Sequence, residues 1–232
     1  MRLFLVLAFV SLLYGRAFAI DTDGDGLLDL MDVPGFDPNQ SGALSFVGQG
    51  IQDLAGLSLL TNATNLDLSN NEIANIDSGD FNGLCNLRGL HLQNNRILSI
   101  ENKAFEGCDN LAELDLSNNP GLTRIESRTF AGFEQWAVLR LDHNSLSQIK
   151  RGDFDRYSAG ILSLSNNQIR EIEDGAFAQG WSFVAIWELG SGGLLIQNNE
   201  LTRMNLAGAH FATCLRVLES AVSAHLATGL PF

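Results

Sequence analysis

Six times along this 232-residue chain a motif close to L-x-L-x-x-N-x-I/L recurs. It reads NLDLSNNEI from Asn65, GLHLQNNRI from Gly89, ELDLSNNPGL from Glu113, LRLDHNSL from Leu139, LSLSNNQI from Leu162 and LLIQNNEL from Leu194. The closing asparagines, Asn71, Asn95, Asn119, Asn144, Asn167 and Asn199, are spaced by 24, 24, 25, 23 and 32 residues. Other positions repeat in phase. Ile73/Ile76, Ile97/Ile100, Leu122/Ile125, Leu146/Ile149, Ile169/Ile172 and Leu201/Met204 follow each asparagine, and Phe81, Phe105, Phe130, Phe154 and Phe177 come ten or eleven residues after it. A period of this length means stacked units, because one unit cannot bury its apolar face alone.

The chemistry of the motif sets the geometry of the unit. Side chains alternate along a strand, so the two leucines of L-x-L share one face and point into the stack, while x points out. An asparagine amide both donates and accepts, so a column of them can satisfy turn backbone groups from one coil to the next. A leucine in that place could not. The phenylalanines are expected to form a spine near the opposite, convex side. Upstream, ALSFVGQGIQDL places Leu44, Phe46, Ile51 and Leu54 at the phase of Leu66, Leu68, Ile73 and Ile76, with Gln49 where the asparagine belongs. That is a degenerate first coil. About seven strands follow, and at ~4.8 Å per strand the sheet is on the order of 30 Å long.

These motifs resemble the extracellular leucine-rich repeat family with its 24-residue unit, over residues 42–204. The resemblance implies an α/β-type solenoid: a curved, parallel, concave β-sheet, an irregular convex side, and a role in binding other molecules rather than in catalysis. The paired cysteines that usually flank such repeats are missing. Cys85, Cys108 and Cys214 are the only three, so this is no disulfide scaffold. Cys108 falls in the apolar slot that Leu84 holds one unit earlier, and a Cys85–Cys108 bridge is an unfavoured alternative to free thiols. The sixth unit arrives late because of GWSFVAIWELGSGG, residues 180–193, with Trp181, Phe183 and Trp187. An aromatic binding protrusion, a loop packed on the convex side and a gene-model artefact all fit it. Of two competing registers, Leu194-x-Ile196 is preferred to Trp187-x-Leu189, because Gln197-Asn198-Asn199 repeats Gln93-Asn94-Asn95. Residues 205–232 carry Phe211, Leu215, Leu218, Val222 and Leu226 at helical spacing, as an amphipathic capping helix would.

Residues 1–19 read as a cleavable secretory signal: Arg2, an apolar run from Leu3 to Tyr14, and Ala17-Phe18-Ala19 at the cleavage site. Without it the formal charge moves from −13 to −15, which argues against nucleic acid and anionic membrane as partners. The expected location is secreted or cell-surface. Two sequons, at Asn39 and Asn62, matter only if the host glycosylates exported chains.

Residues 20–41 form an acidic lead-in that opens IDTDGDGLLDLMD. Numbered from Asp21, the residues Asp21, Asp23, Asp25, Leu27 (by its carbonyl), Asp29 and Asp32 fall at positions 1, 3, 5, 7, 9 and 12 of a calcium loop, and Gly26 at 6. The stretch is similar to the loops of dockerins and thrombospondin type 3 repeats. Pro34-Gly35 leaves room for at most a turn of outgoing helix, so this is not a helix-opening sensor. Calcium is the expected cofactor, at weak extracellular affinity of about 10⁻⁴–10⁻³ M.

The register also fixes which side chains line the concave face. Its middle row is Asp67, His91, Asp115, Arg140, Ser163 and Leu195. Beside it run Ser69, Gln93, Ser117, Asp142, Ser165 and Gln197, then Asn70, Asn94, Asn118, His143, Asn166 and Asn198. Asp67, His91, Asp115, Arg140, Asp142 and His143 are the candidate ligand-binding residues. A Ser-His-Asp set can be drawn with Ser117 diagonal to His91, but an open sheet offers neither an oxyanion hole nor exclusion of water, so no enzyme is expected. Polar side chains on a rigid sheet suit a protein or glycan partner. The rival is a structural, surface-assembly component organised by calcium.

Overall fold

The computed structural model describes residues 26–127, 129–130, 137–154, 159–176 and 193–204. The signal segment, Asp21, Asp23 and Asp25, Phe177, the aromatic insertion, Cys214 and the expected C-terminal helix lie outside these residues.

Twelve short strands follow in chain order: β1 Ser41–Ser45, β2 Asn62–Asp67, β3 Asn75–Ile76, β4 Gly89–His91, β5 Ser99–Ile100, β6 Glu113–Asp115, β7 Ala137–Arg140, β8 Gln148–Ile149, β9 Ala159–Ser163, β10 Glu171–Ile172, β11 Gly193–Leu195 and β12 Arg203–Met204. Seven of them make one parallel sheet in the order β1-β2-β4-β6-β7-β9-β11. Each strand of that sheet pairs with the same strand of the next coil, so the chain winds as a stack of like units. The leucines set the register: Leu44 lies opposite Leu66, Leu66 opposite Leu90, Leu90 opposite Leu114, Leu114 opposite Leu139, Leu139 opposite Leu162, and Leu162 opposite Leu194. The last pairing settles the register of the sixth unit in favour of Leu194-x-Ile196.

The core is the sum of the coils. Leu66, Leu68, Ile73, Ile76 and Phe81 are all fully buried, and the matching residues of later coils repeat the pattern. Each such side chain contributes roughly 1.5–3 kcal/mol over leaving it in water. On the convex side Phe81, Phe105, Phe130 and Phe154 stack with centroid separations of 5.3, 6.1 and 5.8 Å. The degenerate first coil joins the same core through Phe46, Ile51 and Leu54, as its phase predicts.

Two small sheets lie after the turns, β3-β5 and β12-β10-β8. The gap between them falls at the 25-residue unit and has a local cause. At the position after the ladder asparagine, Glu72, Arg96, Ser145 and Gln168 each donate their N–H to the coil before, to Ile51, Ile73, Leu122 and Leu146. Pro120 holds that position in the third unit and has no N–H to give. Gly121 then passes so close to the preceding coil that a Cβ there would stand 3.1 Å from the Ile97 carbonyl and 2.4 Å from Leu98 Cδ2.

The lead-in is part of this fold rather than a tail. The Leu28 carbonyl accepts from the N–H groups of Gln52 and Asp53 at 2.6 and 3.2 Å. Leu30 is fully buried in the solenoid core, and the Phe36 ring packs 6.2 Å from that of Phe46. Cys85 and Cys108 are both free, Cys85 exposed and Cys108 buried. Burial pushes the Cys108 thiol up to about 11, which makes it a small apolar core residue. Among the described residues no helix is long and apolar enough to cross a membrane.

Candidate functional site

The asparagine column comes first, because it holds the concave sheet in register. Asn95 Oδ1 accepts from Ile73 N–H at 3.1 Å, while its Nδ2 donates to the carbonyls of Leu68 and Leu92, both at 3.0 Å. Each amide therefore ties its own coil to the one before. Asn119, Asn167 and Asn199 repeat this scheme. Asn71 caps the first coil by accepting from Gln49, Gly50 and Ile51 N–H at 2.9–3.2 Å. Asn144 accepts instead from Asn119 N–H at 2.7 Å, since the Pro120-Gly121 step lengthens the turn it would otherwise cap.

The residue before each ladder asparagine has a different job. Asn70, Asn94, Asn118, His143, Asn166 and Asn198 all have φ between 54° and 60°, in the left-handed region that asparagine tolerates better than most residues. This outermost row is thus selected first for the turn, and His143 occupies it in the fourth unit.

Strand pairing brings the middle row together as the sequence implies. Asp67 lies opposite His91, His91 opposite Asp115, Asp115 opposite Arg140, Arg140 opposite Ser163, and Ser163 opposite Leu195. Two of the carboxylates use an oxygen within their own coil: Asp67 Oδ1 accepts from Ser69 N–H at 3.0 Å, and Asp115 Oδ1 from Ser117 N–H at 2.9 Å. Ser117 Oγ also donates to Asp115 Oδ1, at 2.6 Å. That bond turns the hydroxyl to a carboxylate, and among the described residues no hydrogen bond joins it to His91.

Arg140 is the centre of charge. Its Nη1 donates to Glu113 Oε1 and stands 3.9 Å from Asp115 Oδ2. The bond to Glu113 is the main reason its pKa is raised. Asp142 Oδ2 meets His143 Nδ1 at 3.0 Å. Counting Asp67, Glu113, Asp115 and Asp142 against Arg140, the face carries an excess of carboxylates. Sequence reasoning missed Glu113, Val138 and Ile161, which stand two residues before the middle row and face out with it. Strand alternation carried back by two residues finds them. Gln93 was placed on the face but not singled out; its Oε1 is buried without a hydrogen-bond partner among the described residues.

The family model described as Leucine rich repeat matches residues 61–120 and 109–159. The solenoid is a leucine-rich repeat fold. Among solved structures, the TLR13–ssRNA13 complex is 25% identical over 73% of this chain and 23% of that one, with a TM-score of 0.54. The Toll–Spatzle complex of Drosophila is 22% identical over 69% of this chain and 27% of that one, with a TM-score of 0.47. The chain thus spans about a quarter of the length of either. No curated protein gives a significant sequence match.

Of the loop residues expected to hold calcium, Leu27, Asp29 and Asp32 lie within the described region. Gly26 has φ of 90°, as a sharp turn at the sixth position requires. Asp29 and Asp32 are buried, at 2% and 3% exposure, and adjoin: Asp29 N–H donates to Asp32 Oδ2 at 3.3 Å, and Met31 N–H to Asp29 Oδ1 at 2.6 Å. Among the described residues no three His, Cys, Asp or Glu side chains gather as a metal site.

Proposed function

We propose that this chain is an exported, non-catalytic binding protein that recognises a macromolecular partner, a protein or a glycan, through the concave face of its solenoid. The observation that carries the reading is the row Asp67–His91–Asp115–Arg140, aligned strand by strand on an open sheet whose register the asparagine column fixes. Functional side chains on a rigid scaffold bind at low ordering cost. The RNA of the TLR13 complex is no guide to the ligand here, because a chain of formal charge −13 with an acidic face repels phosphate. The amino-terminal sequence supports export.

The test is to capture a partner from the native source and compare it with the triple variant His91→Ala/Asp115→Ala/Arg140→Ala. Loss of binding by a correctly folded variant is expected. Unchanged affinity would sink the reading.

The same proposal assigns weak calcium binding to Asp21, Asp23, Asp25, Leu27, Asp29 and Asp32. The spacing of these oxygen donors supports it, as does the φ of 90° at Gly26, which makes the turn that the sixth position of such a loop needs. The loop's carbonyl at Leu28 already anchors the lead-in to the first coil, so the metal would stabilise the solenoid's amino-terminal end. Calorimetry is expected to give a calcium heat that Asp21→Ala/Asp25→Ala abolishes. No heat, or the same heat from the variant, would reject the site.

A further inference from the structure

The concave face changes character along its length. Over β2, β4 and β6 its outward positions are polar or glycine: Asn65, Asp67, Gly89, His91, Glu113 and Asp115. Over β7, β9 and β11 the apolar side chains of Val138, Ile161 and Leu195 join it. At that end the sheet carries a hollow of about 450 Å³ between Arg140, Asp142, Ile161, Ser163, Ser165 and Leu195.

The groups around the hollow are unequally committed. Arg140 is neutralised by Glu113 and Asp115. Ser165 Oγ donates to Gln197 Oε1 at 2.8 Å. Asp142 meets His143 at 3.0 Å and adds to the field at Arg140, whose bond goes to Glu113, so three carboxylates face one guanidinium and the wall carries an excess of negative charge. Leu195 is 41% exposed, and half-buried Ile161 extends its apolar surface into the hollow. An apolar floor next to an anionic wall complements an apolar side chain close to a cation. The acidic charge elsewhere on the face draws in a basic segment and repels nucleic acid.

We infer that this hollow receives a protein segment that carries an apolar side chain two or three residues from a lysine or arginine. The inference rests on the concave-face reading above and names its partner class. The spacing comes from the sheet. The strands of Asp142 and Leu195 are separated by one strand, so by roughly 10 Å, which an extended chain covers in about three residues. Apolar contact favours protein over glycan, and the described outward rows of the sheet hold no Phe, Tyr or Trp ring on which a sugar would stack.

The experiment pans a phage-displayed random dodecapeptide library over the full chain, then measures one enriched synthetic peptide by fluorescence anisotropy. Enriched sequences are expected to pair an apolar residue with Lys or Arg at that spacing. Asp142→Asn and Leu195→Ser are each expected to weaken binding about tenfold, with thermal unfolding confirming that both variants fold. Added salt is expected to weaken the wild type more than Asp142→Asn. Enrichment of acidic peptides, or of none, overturns the inference. Peptides lost in the His91/Asp115/Arg140 triple variant but indifferent to Asp142→Asn and Leu195→Ser would overturn the hollow and leave the concave face standing. Indifference to all of these variants would overturn both.

Discussion

Asn119 Oδ1 accepts the N–H of Ile97, 22 residues earlier, at 3.1 Å, and both residues are fully buried. The same amide donates to the carbonyls of Leu92, Leu116 and Ser117 at 3.0–3.2 Å. One side chain thus bonds four backbone groups in two coils, in a place water does not reach, and it is the partner of the Ile97 N–H. Its neighbour Asn118 has the same chemistry but serves only a left-handed turn, at φ 54°.

That contrast makes a sharp test. Asn119→Gly strands the Ile97 N–H, at about 1–3 kcal/mol, and takes one bond from each of three carbonyls that keep another donor, so a loss of roughly 2–4 kcal/mol is expected. Asn118→Gly keeps the turn and should cost less than about 1 kcal/mol. Urea unfolding of the two variants checks this, and equal losses would refute the division of labour within the Asn-Asn pair.

Lys103 stands at φ 64° in the slot that Gly79, Gly152 and Gly175 fill in other coils, at φ 96°, 84° and 76°. A side chain in the left-handed region costs about 1–2 kcal/mol, of which glycine's extra freedom in the unfolded chain cancels part. Lys103→Gly also gives up the exposed pair with Glu106, itself worth little. The variant is expected to be more stable by about 0.5 kcal/mol. A lower melting temperature for Lys103→Gly would count against strain at this position.

Much of this architecture was legible because the motif repeats its physics with its letters. Leu, Asn and Phe in phase fixed strand register, ladder and spine, down to the choice of Leu194 over Trp187. Three things were not legible. Leu30 lies outside any repeat, so its burial in the first coil had no periodic signal. The hollow depends on Ile161, which precedes the motif at a position that varies from unit to unit. The positive φ of Asn70 and its equivalents looks, in sequence, like one more outward polar row; only backbone geometry separates turn chemistry from recognition.

The phenylalanine spine gives a third expectation. Phe105 is 4% exposed and stacks between Phe81 and Phe130. Phe105→Ala is expected to cost about 3–5 kcal/mol, and Phe105→Leu about 1–2, since leucine refills most of the space. Because stacked coils couple to their neighbours, the alanine variant should also expose amides of both adjoining turns to hydrogen exchange. Protection lost in the Phe105 coil alone would show that the spine does not link the coils.

Asp153 provides the pH test. It is 3% exposed, and burial pushes its carboxyl up to about 6, against the Lys150 backbone N–H that donates to its Oδ2 at 2.7 Å and the Lys150 charge. Glu173 and Glu126 add to the upward shift. Between pH 4 and 6 the folded chain therefore holds a proton that the unfolded chain has released. The site's contribution to stability is full below about pH 4, falls as pH rises through 6, and then levels off, with a total change of up to about 3 kcal/mol. Asp153→Asn still accepts from Lys150 but cannot ionise. Its stability relative to wild type should rise from pH 4 to pH 6.5 and stay flat above. Urea midpoints for both proteins at pH 4.5, 5.5, 6.5 and 7.5 give the comparison, and the difference isolates this carboxyl from the many others on an acidic chain. Parallel profiles would mean that Asp153 titrates in the folded protein as it does in the unfolded one.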